Sequence, residues 1–170
     1  MKKLLIIILI SLTGANMNLF SQENNPVFSV SIDSVKMTGE NINDKVLHFY
    51  ITIKNHSSQN IEFHQKPIYM SVNKKNKDWN LILKKDNEIQ VEWDDSRYTG
   101  DHKDPVTKFI VEKNTEFQKI FPIQLSSILV SGSRDNLSGS YTGQIILSTA
   151  KSEVNPRQSA SSNIINFNIE

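Results

Sequence analysis

The chain has 170 residues, no cysteine, and a formal charge of +1 from 19 basic and 18 acidic side chains. At roughly 150 residues per domain this length predicts one domain, large enough to fold around a single core without a disulfide. The near balance of charge excludes a basic nucleic-acid surface and an acidic disordered tail. There are 21 isoleucines and 10 valines but only 3 alanines, a composition that favours strands over helices.

Residues 1–22 have the three-part layout of a secretory signal peptide. Two lysines precede an apolar run, Leu4–Leu12, which is too short to span a hydrocarbon core of about 30 Å. We expect cleavage near Ser21 or Gln22, with Ala15 as the other candidate. An N-terminal strand and an uncleaved anchor remain the alternatives.

Cleavage would leave residues 23–170, which carry 17 basic and 18 acidic side chains and therefore a charge of −1. No later stretch approaches 18 consecutive apolar residues, so we expect no membrane span after cleavage. The style of the leader suggests a bacterial protein that is secreted or exported to the periplasm.

After the leader, alternation of apolar and polar residues predicts eight to ten short strands. The first runs from Val27 to Met37, and its apolar residues change phase near Asp33–Ser34, where we predict a β-bulge. The clearest alternation is Val46–Lys54. The other predicted strands are 61–63, 67–72, 79–83, 89–93, 108–111, 115–123, 141–149 and 164–169.

Polar segments separate these strands. Residues 94–105, 131–140 and 150–162 are predicted as loops, and 112–114 as a turn or a bulge within one long strand. Residues 125–130 fit either one helical turn or a strand. Short strands with turns about every ten residues are typical of an antiparallel sandwich or barrel. The predicted core comprises Phe28, Val30, Leu47, Phe49, Ile51, Ile53, Met70, Trp79, Leu81, Val91, Phe117, Tyr141, Ile145 and Phe167.

Several segments occur in a familiar order: residues 48–63, Trp79, residues 109–123 and residues 137–147. In this order they resemble bacterial secreted immunoglobulin-like domains and, more loosely, the β-sandwich family of the intracellular proteinase inhibitor. Gly139 and Tyr141 are similar to the tyrosine corner of such domains, whereas Lys113–Asn114 stands where Pro-Gly is frequent. The resemblance implies one antiparallel immunoglobulin-like sandwich over residues 23–170, and no inhibitory residue matches.

The long loop after residue 93 is the first candidate binding site. Its aspartates could supply several of the six to eight oxygen ligands that calcium takes, although the spacing does not match an EF-hand. Arginine and tyrosine are enriched as interface anchors, and sandwiches often place recognition in loops. The candidate residues are Asp94, Asp95, Arg97, Tyr98, Asp101 and Asp104. A solvated loop is the alternative, and we predict no metal or other cofactor.

Other residue types give weaker signals. His48 and His64 lie on polar strand faces and would approach each other if their strands paired. The other histidines are His56 and His102, and the four show none of the close spacing typical of zinc ligands. The lysines at 74–77 and 84–85 fit solvated turns, so we predict no nucleic-acid binding. Cysteine and a Gly-x-Ser-x-Gly motif are absent. We therefore predict that the chain is not an enzyme.

These observations together predict an exported, monomeric and non-catalytic module that binds or adheres to a protein or surface ligand through its loops. Two alternatives stay open: a proteinase-inhibitor-like module, and a calcium-dependent carbohydrate- or surface-binding module.

Overall fold

The computed structural model describes residues 26–41, 43–65, 78–94, 107–150 and 156–170, which form eleven β-strands. Within these ranges the only helical element is a single 3-10 turn, Leu125–Ser127. The strands are β1 Phe28–Thr38, β2 Val46–Asn55, β3 Ile61–Gln65, β4 Trp79–Lys85, β5 Ile89–Trp93, β6 Thr107–Val111, β7 Glu116–Gln124, β8 Ile128–Val130, β9 Gly139–Ser148, β10 Ser159–Ser161 and β11 Ile165–Ile169. The all-β class is therefore confirmed, with slightly more strands than expected.

All strand pairs are antiparallel and fall into three sheets. The first has the order β1–β2–β7, the second has the order β10–β9–β4–β5–β8, and β3 pairs with β6 in a small third sheet. β4 lies along one edge of β9, and β10 and β11 occupy successive stretches of the other edge. Within the described part of the chain, no helix is long and apolar enough to cross a membrane.

The bulge predicted in the first strand is confirmed. The register of β1 against β2 shifts between Ile32 and Ser34. At this point the Asn163 side chain pairs with the backbone of Ile32: its Oδ1 accepts the Ile32 N–H at 2.8 Å, and its Nδ2 donates to the Ile32 carbonyl at 3.1 Å. Asn163 lies between β10 and β11, so this contact joins the first sheet to the edge of the second.

The core lies between the inner faces of the sheets, where alternate strand residues meet. Leu47, Phe49, Ile51 and Ile53 of β2 are all almost fully buried, as their alternation predicts. Every predicted core residue that the structure describes is buried, except that Phe117 and Phe167 are partly buried against the core. Met70 and the predicted strand 67–72 lie outside the described residues.

An aromatic cluster attaches the small sheet to the two larger ones. The Phe109 ring of β6 stacks between Phe63 and Phe117, with centroids 5.1 and 5.2 Å away. Trp79 of β4 packs against Phe109 and Phe121, and its Nε1 donates to the His64 carbonyl at 2.7 Å. Stacked and tilted rings at these distances add attraction beyond the burial of their area.

The tyrosine corner is present. The buried Tyr141 hydroxyl donates to the Leu137 carbonyl at 2.5 Å, and burial, with a smaller contribution from Asp86, raises the pKa of Tyr141 to about 12. Gly139 precedes it with φ +141°, and a Cβ there would lie 2.6 Å from Lys85 Cε. Glycine at this position therefore makes room for the Lys85 side chain.

Two local predictions, for Lys85 and for loop 150–162, are wrong, and the structure decides two alternatives that the sequence left open. Lys85 is buried, not solvated, and donates to the carbonyl and Oδ1 of Asn136 at 2.7 and 2.8 Å. Residues 112–114 form a turn rather than a bulge, since β6 and β7 join different sheets. Residues 125–130 form both a helical turn and a strand. The predicted loop 150–162 contains β10, whose three residues pair with β9.

Candidate functional site

A buried asparagine shapes the loop at one end of the molecule. β2 ends at Asn55, whose Nδ2 lies 2.8 Å from the Gln59 carbonyl and 3.1 Å from the carbonyls of Val111 and Glu112. Its Oδ1 accepts from the backbone N–H and the hydroxyl of Ser57, both at 2.8 Å. The Asn55 side chain therefore bonds both to loop 56–60 and to the residues at the β6–β7 turn. By satisfying buried polar groups of both segments, it holds the loop against the turn.

Three ionisable side chains meet on the outer face of β3 and β6. Alternation places Ile61 and Phe63 in the core and turns Glu62 and His64 outward. Antiparallel register sets Lys108 opposite His64. Glu62 Oε1 accepts from His64 Nε2 at 2.8 Å and from Lys108 Nζ at 3.0 Å. These bonds, first that of Lys108 and then that of His64, hold the pKa of Glu62 below its usual range.

The chain around the end of β9 forms the facing wall. The Ala150 N–H donates to the Glu62 carbonyl at 2.9 Å, which ties this wall to β3. Thr149 and Gln158 then pair with each other: the Thr149 N–H donates to the Gln158 carbonyl at 2.9 Å, and the Gln158 N–H donates to Thr149 Oγ1 at 3.0 Å. Both walls are therefore held by hydrogen bonds to neighbouring parts of the chain.

Between the walls lies a groove of about 510 Å³. This volume is within the range of about 300–1,000 Å³ typical of small-ligand sites. We call it the end groove. The described residues that line it are Val27, Ser57, Ser58, Gln59, Asn60, Ile61, Glu62, His64, Lys108, Thr149, Ala150, Pro156 and Gln158.

The loop residues singled out from the sequence do not form this groove. Asp94 lies at the end of β5, where it is buried and paired with Arg134, and its N–H donates to the Ser127 carbonyl at 2.9 Å. The other five candidates, Asp95, Arg97, Tyr98, Asp101 and Asp104, lie outside the described residues. A binding role for that loop remains a prediction.

The strands of His48 and His64 do not pair, so the condition under which these two histidines would approach each other is not met. β2 pairs with β1 and β7, whereas β3 pairs with β6. His48 Nε2 is 2.9 Å from Thr38 Oγ1, and His56 Nε2 is 2.8 Å from Ser29 Oγ. In the described part of the chain no three His, Asp or Glu side chains are placed to hold a metal ion. His102 lies outside it.

The sequence placed His64 on a polar strand face but did not indicate Lys108 as a member of the same cluster. The two strands are distant in sequence, and nothing local indicates that β6 is the strand that pairs with β3. What the sequence does show is the alternation of inward and outward residues along each strand, which turns Lys108 outward and Phe109 inward. Only the strand register sets Lys108 beside His64.

Neither protein-family models nor curated protein sequences match the chain. Two chains among the solved structures do match. One is a late embryogenesis abundant (LEA) protein solved in solution, with a TM-score of 0.49 and 12% identity. That match covers 88% of this chain and 75% of the other. A similarity at this level carries no argument about function.

Proposed function

We propose that the chain is an exported, non-catalytic binding module, and that it recognises a fragment of a protein or surface ligand in the end groove. The observation that carries the proposal is the groove itself, with two walls fixed by hydrogen bonds and the Glu62 cluster on its surface. A rigid cleft binds with little loss of conformational entropy, because its polar groups are ordered before the ligand arrives.

Export is supported by residues 1–22, which have the layout of a signal peptide. The resemblance of the chain to bacterial secreted immunoglobulin-like domains agrees with export. The non-catalytic part of the proposal is supported by how the Glu62 cluster is bonded. His64 Nε2 is bonded to Glu62, and no serine hydroxyl among the described residues is bonded to His64. A histidine that activates a nucleophile makes such a contact in the reacting complex, directly or through one water.

Because the chain contains no cysteine, a single reporter can test the groove. An environment-sensitive fluorophore is attached to S58C, on the exposed groove loop, and separately to S138C, an exposed control site outside the groove lining. Both proteins are titrated with a panel of tripeptides, neutral trisaccharides and acidic trisaccharides. We expect a saturable response to one class at S58C, no response at S138C, and recovery of the compound unchanged.

Failure takes three forms. No response to any class at S58C would reject the groove as a binding site. Equal responses at both labels would show non-specific adsorption instead of binding. Cleavage or other conversion of a panel member, abolished by Glu62→Gln or His64→Ala, would reject the non-catalytic assignment.

A further inference from the structure

We propose that the end groove binds a neutral oligosaccharide, an inference that rests on the proposed function and names its ligand class. The charges in the groove favour a neutral ligand. Glu62 and Lys108, the charged side chains that line the groove, are paired with each other, and His64 is bonded to the same Glu62 oxygen. A ligand with a net charge would have to separate that cluster or face a side chain of its own sign, whereas a neutral ligand does neither.

The Glu62 cluster also retains hydrogen-bonding capacity that a sugar could use. Both bonds to Glu62 use Oε1, so Oε2 has no partner among the described residues. Lys108 Nζ carries three N–H groups, of which one is directed at Glu62. A hydroxyl group both donates and accepts. Neighbouring hydroxyls on a sugar ring can therefore donate to Glu62 Oε2 and accept from Lys108 Nζ while the pair stays intact.

Both walls of the groove also present neutral side chains that can donate and accept hydrogen bonds. Exposed Ser58 and Gln59 stand on the loop beside Asn60, whose Oδ1 already accepts from the Lys113 N–H at 3.0 Å, and exposed Gln158 stands on the facing wall. An amide side chain offers donors and an acceptor in one plane. Such groups suit a ligand that carries hydroxyls on more than one side.

An extended peptide fits the groove less well, because it could not pair as an added strand with the edge of β3. A peptide that adds to a sheet edge needs the free backbone groups of that edge. The edge of β3 that faces away from β6 is already used. Its Glu62 carbonyl accepts from the Ala150 N–H, and its His64 carbonyl accepts from Trp79 Nε1.

The test is a titration of the ¹⁵N-labelled chain, followed by amide chemical shifts. The probes are three neutral trisaccharides (maltotriose, cellotriose and N,N′,N″-triacetylchitotriose), the acidic trigalacturonate, and trialanine. We expect a neutral trisaccharide to shift amides of residues 57–62, 149–150 and 158 more strongly than trigalacturonate or trialanine does. Chelator should leave these shifts unchanged, since the proposed donors and acceptors all belong to the chain.

The matched variants are Glu62→Gln and Glu116→Gln. Glu116 makes an exposed ion pair with Lys54 at 3.0 Å on another sheet, so its variant removes the same kind of group away from the groove. Loss of a charged hydrogen-bond acceptor should weaken neutral trisaccharide binding about tenfold or more in Glu62→Gln. The Glu116→Gln variant should bind like the original chain.

The outcomes separate the two proposals. Groove shifts caused only by trialanine or trigalacturonate would overturn the neutral-sugar inference and leave the binding module standing. Neutral-sugar binding that Glu62→Gln does not weaken would also overturn the inference. No groove shift with any probe would overturn both.

Discussion

At the scale of single residues, Asn55 has a structural role that its exposed neighbours in the loop do not share. It is buried, and its amide serves three backbone carbonyls and two groups of Ser57. A strand that ends at asparagine beside a polar turn was already visible in the sequence. Its contacts with Val111 and Glu112 were not, because they require β6 to lie beside the loop.

Asn55→Ala should destabilise the chain by about 3 kcal/mol, because buried carbonyls lose their donor and a cavity forms. Urea unfolding followed by circular dichroism measures this change. Asn166→Ala, at an exposed position of β11, is the matched control and should stay within about 0.5 kcal/mol. Equal effects of the two substitutions would contradict the role of Asn55.

Tyr141 provides a prediction about pH. Its pKa rises from 10.0 to about 12 in the folded chain, chiefly because burial disfavours the phenolate. The folded state then holds a proton that the unfolded state has released, so stability is present in full below pH 10 and falls between about pH 10 and 12. Tyr141→Phe lacks this pH-dependent contribution. Its free energy of unfolding at neutral pH should be lower by about 1–2 kcal/mol, because the Leu137 carbonyl loses its hydrogen-bond donor.

Urea midpoints of the two proteins, measured from pH 8 to 11, test this. The difference between them should shrink as the pH rises above 10. A difference that stays constant over this range would mean that the Tyr141 hydroxyl titrates in the same way in the folded and unfolded states.

At the scale of elements, β7 is distinctive because an inward position holds a lysine. Lys119 is opposite Ile51 of β2, so both side chains point to the inner face, and Lys119 Nζ lies 4.8 Å from the Phe109 ring centroid. Burial lowers the pKa of Lys119. Pro122 follows on the same strand, and among the described strands β7 pairs only with β2. Inward charges and prolines are common devices against edge-to-edge association.

Lys119→Val with Pro122→Val should therefore promote self-association, because the edge gains an N–H donor and loses its charge. Sedimentation velocity over a concentration series should show growth of dimers and larger species. Lys54→Val is the control, since Lys54 is exposed on β2, which has neighbours on both sides. An edge variant that remains monomeric at high concentration would show that other features protect β7.

At the scale of the whole molecule, the leader leads to a direct prediction. When the full chain is produced in a bacterial host, the periplasmic fraction should contain a product that begins at or near Glu23, or after Ala15. Intact-mass spectrometry distinguishes these products from the full chain. Substitution of the two leader lysines by glutamate should reduce export, because the positive n-region would be lost. Full-length chain confined to the membrane would instead support an uncleaved anchor.

Much of the fold was predictable because strand alternation is a local property. The faces of β1, β2, β4 and β9 follow from a period of two, and even the bulge at Ile32–Ser34 follows from a change of phase. β10 was not predictable in this way. Its sequence, Ser-Ala-Ser, has no apolar alternation, and it is a strand because it completes the edge of β9.

By itself, then, the sequence determined the all-β class, the positions of most strands and the side of most of those strands that faces the core. Each of these depends on residues within a few positions of one another. Tertiary structure alone decided which strands pair, and that pairing set Lys108 beside Glu62 and His64, Asn163 against Ile32, and Asp94 against Arg134. The end groove belongs to this second group, because its lining comes from four separate segments whose contact depends on sheet register and packing.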